Sequence, residues 1–306
     1  MTTIAVLGSA NMDLVVRQSR LPEPGETIFG HSFATVPGGK GLNQAVAAAR
    51  QGATVDFLGA VGADAYGTRL RALIAAEGIR SEGLADALEP TGTAHISVTD
   101  AGENSIVVVS GANATVTALT TAQRATIGAA GFLVMQCELP LAVLVEANAV
   151  ARAAGVFTVL TPAPVVALPE GFLAAVDLVV PNQLEAAALT GQTDAARAAE
   201  LLSTDRTWAI VTLGAEGAIV AFDGEVLGLA PARPATAVDT TAAGDSFVGA
   251  LVARLAATDA VATGGVAPEA MIDAVRWATV AASLTVTRPG ATESLPSLAE
   301  VAAILV

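Results

Sequence analysis

The strongest chemical signal in the chain is Asp239-Thr240-Thr241-Ala242-Ala243-Gly244-Asp245-Ser246-Phe247. Small residues run there into an apolar-periodic stretch, Phe247, Leu251 and Leu255, which predicts a helix starting within Ala242 to Asp245. Free N–H groups at a helix start, flanked by side chains too small to obstruct them, make an anion site. Asp245 falls inside it, where a carboxylate beside a bound phosphate can take a proton from an attacking hydroxyl. An aspartate at a helix start also serves as a plain cap, and the motif alone does not separate the two roles.

A second group is Gly8-Ser9-Ala10-Asn11-Met12-Asp13, just after a short apolar run. Open α/β sheets bind ligands beyond the carboxyl ends of their strands. Asn11 and Asp13 could grip a polyol there, since one carboxylate accepts from two adjacent hydroxyls. Asx residues in an ordinary turn explain them equally well. Gly38-Gly39-Lys40-Gly41-Leu42-Asn43 opens the next helical stretch, with backbone able to approach a ligand and the only lysine of the chain. It is not a phosphate-binding P-loop, because Gly41 stands where the magnesium-binding Ser or Thr belongs. No G-x-G-x-x-G follows a predicted strand, so a dinucleotide site has no support. Asn182 and Glu185 lie one turn apart at a helix start, placed for a hydrated cation, for phosphate or for capping. Thr212-Leu213-Gly214-Ala215-Glu216-Gly217 reads as a glycine-bearing strand-to-strand turn. Cys137, next to Glu138, reads as a small buried hydrophobe, with neither histidine near it in sequence.

These residues must be positioned by a core, and the composition supplies one. The 306 residues are 53% apolar and 14% charged, which excludes disorder. Fifteen Lys plus Arg against 29 Asp plus Glu leave a net charge of −14, the wrong sign for nucleic acid or an anionic membrane surface. One cysteine and two histidines exclude a disulfide framework and disfavour structural zinc. The N-terminus lacks the basic region of a signal peptide, and no uninterrupted apolar stretch is long enough to span a bilayer, so a cytoplasmic location is expected. β-Branched runs predict strands at 4–7, 55–58, 131–135, 157–160, 178–180 and 209–212. Ala-rich stretches predict helices at 42–51, 68–76, 141–154, 183–190 and 195–202. This alternation predicts an α/β fold whose mostly parallel sheet is covered by helices on both faces. Segments 14–36 and 92–110 break the rhythm and read as antiparallel strands outside that sheet, a decoration or a small lid over a site.

Taken in order, the motifs resemble the ribokinase family of carbohydrate kinases, the PfkB group. Two signatures carry the resemblance: the glycine-rich 38–67 region with Gly59-Ala60-Val61-Gly62-Ala63-Asp64, and Asp239 to Phe247. Thr287-Arg288-Pro289-Gly290-Ala291 adds to it, and the match runs from Ile4 to about Ser297. The resemblance implies one three-layer α/β/α catalytic domain over 1–306 with an antiparallel β-lid. It implies ATP-dependent phosphorylation of the ribose 5-hydroxyl, with Asp245 as general base and the N–H groups of Ala242, Ala243 and Gly244 around the transferring phosphoryl group. Asn11, Asp13, Gly39, Lys40, Gly41, Asn43 and Glu138 would hold the sugar. Asn182, Thr212, Gly214, Ala215, Gly217, Gly244 and Thr279 would line the ATP site, with Glu185 organising magnesium through water. Asp239, Thr241, Thr285, Arg288, Gly290 and Ser294 match positions that enclose potassium, mostly through carbonyls. A homodimer through the lid is also implied. Two residues depart from the family pattern: Thr161 where Asn is frequent and Thr279 where His is familiar, both expected to stand apart from phosphoryl transfer. Another acceptor, such as 2-deoxyribose, another pentose or a nucleoside, stays open. So does a sugar-binding sensor without turnover.

Overall fold

The computed structural model describes residues 2–204, 206–258, 261–262 and 265–305. The chain opens with β1 (Thr3–Leu7), in which Ile4 to Leu7 are all buried, as a strand covered on both faces must be. β2 (Asn11–Gln18), β3 (Ser32–Gly38), α1 (Lys40–Arg50), β4 (Thr54–Gly62), α2 (Ala65–Ala76) and β5 (Arg80–Ala87) follow. Next come β6 (Gly92–Thr99), β7 (Asn104–Val109), α3 (Thr121–Ala129), β8 (Phe132–Gln136), α4 (Leu141–Ala153) and β9 (Phe157–Thr161). Then β10 (Leu178–Val179), α5 (Gln183–Thr190), α6 (Ala195–Leu202), β11 (Trp208–Thr212), β12 (Ala218–Phe222) and β13 (Glu225–Ala230) lead to α7 (Ala243–Ala257). A short ladder of β14 (Val261–Ala262) and β15 (Gly265–Val266) precedes α8 (Pro268–Thr285) and α9 (Leu298–Leu305).

The large sheet has nine strands in the order β13-β12-β11-β10-β9-β8-β1-β4-β5. Pairing is parallel from β11 through β5, and β12 and β13 extend one edge antiparallel. Alternate residues feed opposite layers. Ile4, Val6, Phe132 and Val134 pack with α1, α2, α7 and α8, whereas Ala5, Leu7, Leu133 and Met135 pack with α3 and α4. Helices α5 and α6 cover Ala209 and Val211 of β11. The expected three-layer α/β/α architecture is therefore the one found. Among the described residues, no helix is long and apolar enough to cross a membrane.

The two segments that break the rhythm form a separate four-stranded sheet, β3-β2-β6-β7. Its β2–β3 and β6–β7 pairs are antiparallel, and the two pairs are joined by a parallel β2–β6 ladder. Its first strand starts earlier than expected. Asn11 and Asp13 do not sit in a turn after β1; they are residues of β2, with Asn11 facing Gly38 and Gly92 in register.

Helix α7 starts at the predicted place. Ala242 caps it in the left-handed region, with φ 59°, and Asp245 lies in its first turn. The helix is buried from Asp245 to Val252 because it packs between α1 and α8. At Gly249 a Cβ would lie 2.4 Å from Ala47 Cβ and 2.7 Å from the Gln44 carbonyl, so only glycine allows this closeness of α1 and α7.

Candidate active site

That crossing brings the start of α1 onto the start of α7. Asn43 Nδ2 donates to Asp245 Oδ2 at 2.9 Å, and Gln44 Nε2 donates to Asp245 Oδ1 at 2.9 Å. Asp245 is buried, with 8% of its surface exposed, and burial pushes its carboxyl up. The Lys40 charge and the two amide donors pull it down, and Glu138 adds to the rise. The net direction is upward, which makes this carboxylate a better proton acceptor than an exposed one.

Around Asp245 stand most of the residues expected to hold a sugar. Glu138 Oε2 accepts from the Lys40 N–H at 3.1 Å and from the Ser9 hydroxyl, tying the residues after β8 to the start of α1 and to the segment after β1. Asp13 is pushed up to about 7, first by burial and then by the charges of Glu138 and Asp245. Lys40 is not a solvated side chain. Burial works against its charge, but Asp245, Glu138 and Glu185 outweigh burial and hold the ammonium above the usual lysine range. The Asn43 Oδ1 is buried without a hydrogen-bond partner, while its Nδ2 is held by Asp245. Gly39 and Gly41 contribute backbone. Gly41 packs so tightly on Gly8 that a Cβ would lie 2.6 Å from the Gly8 Cα, and its N–H reaches the Ser9 hydroxyl at 3.4 Å.

On the other side of the α7 start lies a cavity of about 510 Å³, within the range of small-molecule sites. Thr212, Gly214, Ala215, Gly217, Ala243, Gly244 and Thr279, all singled out from sequence, line it, together with Arg233. Asn182 and Glu185 do not line it. They form a reciprocal capping box on α5, Asn182 Oδ1 accepting from the Glu185 N–H and Glu185 Oε2 from the Asn182 N–H, each at 2.8 Å. Asn182 is joined to Thr212 by a single parallel bridge, so the cap sits beside the cavity, and the Glu185 charge is felt at Lys40. The Ala243 N–H makes a long 3.3 Å bond to the Thr240 carbonyl, closing the turn ahead of α7.

Of Asp239, Thr241, Thr285, Arg288, Gly290 and Ser294, the Asp239 carboxylate joins Thr241 and Gly290, while Thr285, Arg288 and Ser294 bond to other partners. Asp239 Oδ1 accepts from the Thr241 N–H at 2.9 Å and its Oδ2 from the Gly290 N–H at 3.0 Å. Burial raises this carboxyl, but the bonds from Thr241 and Gly290 and the Arg17 charge hold it below the usual range. The Thr285 hydroxyl donates to Ser246 Oγ at 2.7 Å, linking the end of α8 to α7, and the Arg288 guanidinium pairs with Glu300. Among the described residues, no group of three or more His, Cys, Asp or Glu gathers to hold a metal.

Sequence reasoning missed Ser9, Gln44, Asn113 and Gln136. Asn113 Nδ2 donates to Asn11 Oδ1 at 2.7 Å and its Oδ1 accepts from the Ala10 N–H at 3.1 Å, fixing the Asn11 amide. Nothing in the sequence around Asn113 signals this, whereas Gln44 directly follows Asn43 and the glycine-rich 38–41 stretch. Thr161 does not touch Asp245, but its hydroxyl accepts from Gln44 Nε2 at 3.3 Å, the same amide nitrogen that donates to Asp245. Cys137 is buried as expected, its thiol pushed up to about 11 by burial and by the Glu185 and Glu138 charges.

A parallel sheet between helix layers, with a polar cluster and a nucleotide-sized cavity sharing one helix start, is the layout of a small-molecule kinase. The profile described as pfkB family carbohydrate kinase matches residues 1–298, and the chain belongs to that family. It is 37% identical over 306 residues to a ribokinase of Haemophilus influenzae, covering 97% of this chain and 96% of that one. A ribokinase of Schizosaccharomyces pombe is 38% identical over 318 residues, covering 98% and 97%. Among solved structures, Arabidopsis thaliana ribokinase complexed with ribose and ATP is similar with a TM-score of 0.89 and 30% identity, covering 99% of this chain and 98% of that one.

Proposed function

We propose that this chain transfers the γ-phosphoryl group of ATP to the 5-hydroxyl of D-ribose, giving ribose 5-phosphate and ADP. One observation carries the reading: successive residues serve both halves of the site. Ala243 and Gly244 line the cavity, and Asp245 turns its carboxylate to Asn43. A nucleotide in the cavity and a sugar in the polar cluster therefore meet at the start of α7. Similarity to a ribokinase complexed with ribose and ATP supports the choice of sugar.

In this reading Asn11, Asp13, Gly39, Lys40, Gly41, Asn43 and Glu138 hold the sugar, and Asp245 takes the hydroxyl proton as the oxygen attacks in line. The N–H groups of Ala242, Ala243 and Gly244 face the charge on the transferring group, with Ala243 sharing its long bond to Thr240. Thr212, Gly214, Ala215, Gly217 and Thr279 receive the nucleotide, with Asn182 at the edge. Magnesium, when bound with ATP, neutralises phosphate charge; Glu185, whose charge reaches Lys40, would hold its waters. The carbonyls of the 239–241 and 285–294 loops, with Asp239, suit potassium, which would add positive charge behind the anion site. The four-stranded sheet acts as a lid on a single catalytic unit over 1–306. Its outer strand exposes Ile106, Val107, Val108 and Val109, which suits pairing with a second copy. A single buried cysteine suits a reducing cytoplasm.

The test is ADP release from Mg-ATP with ribose, 2-deoxyribose, fructose and adenosine, each with and without potassium. Ribose-dependent turnover that rises with potassium is the expected result. Turnover on another acceptor alone would overturn the sugar, and none on any acceptor would overturn the reaction.

A further inference from the structure

Two buried amides have no place in the roles just described. Gln44 and Gln136 are 1% and 0% exposed, and neither lines the nucleotide cavity. Gln44 Nε2 donates to Asp245 Oδ1 at 2.9 Å and lies 3.3 Å from Thr161 Oγ1, while its Oε1 accepts from Gln136 Nε2 at 2.6 Å. We infer that Gln136 and Gln44 form a buried amide ladder that fixes the orientation of the Asp245 carboxylate, both acting as positioning residues. This rests on Asp245 being the base.

The direction of the ladder follows from charge. An ionised carboxylate only accepts, so Gln44 must turn its NH2 toward Asp245. Its carbonyl then faces Gln136, which must answer with its own NH2. Rotating either amide by half a turn would set oxygen against oxygen or NH2 against NH2. The cost of this order is visible at its far end, where Gln136 Oε1 is buried without a hydrogen-bond partner against Gly8. A side chain selected for packing would not leave an unmet acceptor there. Gln136 ends β8 and Gln44 opens the second turn of α1, so the carboxylate on α7 is referenced to two other elements of the frame. Asn43 holds the second oxygen, and together the two donors stop the carboxylate from rotating.

The unmet acceptor also separates positioning from packing. Gln136→Met removes it but also takes the donor from Gln44 Oε1, so one unmet buried acceptor replaces another and the melting temperature should change little while the Gln44 amide is freed. Gln44→Met removes the donor itself. With ribose as acceptor, Gln44→Met should lower kcat about 10- to 100-fold with little change in ribose KM, and move the acid limb of the pH profile up by about one unit, because a donor to the charged form has been lost. Gln136→Met should change both in the same direction by a smaller factor. A fall in activity that merely follows a fall in melting temperature, with an unmoved acid limb, would overturn the proposal. So would a Gln136→Met enzyme with wild-type kcat and pH profile. Carbon-13 NMR titration of the Asp245 carboxyl, assigned with Asp245→Asn, reads the same shift without turnover. A wild-type protein inert toward ribose would therefore sink the assigned reaction, while an unshifted Asp245 titration in Gln44→Met would sink the ladder.

Discussion

Asn43 and Asp245 stand 202 positions apart in the sequence and meet through a 2.9 Å hydrogen bond. Neither lies in a loop free to adjust: Asn43 is in the first turns of α1 and Asp245 in the first turn of α7. Their distance is set by how closely those helices cross, and Gly249, one turn beyond Asp245, sets the crossing. A site for two substrates is thus built from a helix contact.

Gly249→Ala tests that dependence. The added methyl meets Ala47 Cβ and the backbone of Gln44 and Ala48, none of which can swing away. Overpacking of this kind costs about 1–3 kcal/mol. The expected result is a lower melting temperature and a loss of kcat larger than the rise in ribose KM. Unchanged kcat in a folded, destabilised variant would show that the crossing does not set the Asn43–Asp245 geometry.

Asp245→Asn keeps the shape and removes the proposed base. General-base catalysis contributes about 10²- to 10⁴-fold, so kcat should fall by that order while calorimetry still detects ribose binding. A protein that only sensed sugar would bind as before and have no turnover to lose. Normal turnover in Asp245→Asn would refute the assigned base.

The layers were legible because buried parallel strands are nearly all apolar. Runs such as Ile4 to Leu7 and Phe132 to Met135 have no other stable use beside Ala-rich helical stretches. The α7 start was legible because small residues running into an apolar period mark a helix N-terminus in one short segment. Asn11 and Asp13 were harder, since the local Gly-Ser-Ala-Asn-Met-Asp pattern fits a turn and only pairing with Gly38 and Gly92 makes it a strand. Asn113, Gln44 and Gln136 act through contacts of long sequence separation, and an amide in a sequence carries no mark of which partner it will meet. The Asn182–Glu185 spacing was visible, but the capping role it plays is the local one, which any helix start would use.

Asp13 should distinguish sugars. Among the described residues its carboxylate has no hydrogen-bond partner within the chain, and it lies over the backbone of Gly38, where a Cβ would come within 2.2 Å of Oδ2. If it accepts from the 2- and 3-hydroxyls of ribose, 2-deoxyribose leaves one bond unmade. An unmet buried acceptor costs about 1–3 kcal/mol, so kcat/KM should favour ribose about 5- to 150-fold. Asp13→Ala should erase most of that preference, and equal efficiency on both sugars in the wild type would refute the contact.

The same residue gives a pH signature in stability. The Asp13 carboxyl rises from 3.8 to about 7 on folding. Between those values the folded protein holds a proton that the unfolded chain has lost, so stability falls as pH rises across that window and levels off above it. Asp245 is shifted in the same direction, which is why the comparison must be with a variant at Asp13 alone. Asp13→Asn should be more stable than the wild type at pH 8 and nearly equal to it at pH 4.5. Calorimetric melting across that range decides the point: a constant difference would mean that Asp13 does not titrate in the window.

Asp239 should behave in the opposite sense, and through it the cation loop can be tested. Against burial, its carboxyl is held low by the Thr241 side chain and by the N–H groups of Gly290 and Thr241, so its contribution is present above about pH 4 and is lost as pH falls through the folded value. Two N–H donors face its two oxygens, one from each strand of the loop pair. Asp239→Asn can satisfy one donor with its carbonyl but sets an NH2 against the other, so it should destabilise by about 1–3 kcal/mol, close to the effect of alanine. Separating the 239–241 and 285–294 loops also scatters the carbonyls proposed to hold potassium. The variant should therefore lose most of the potassium stimulation of ribose turnover while keeping a basal rate, because Asp245 and the cavity residues Ala243 and Gly244 are untouched. Titrating potassium against kcat in both proteins checks this. Undiminished stimulation in Asp239→Asn would place the cation elsewhere.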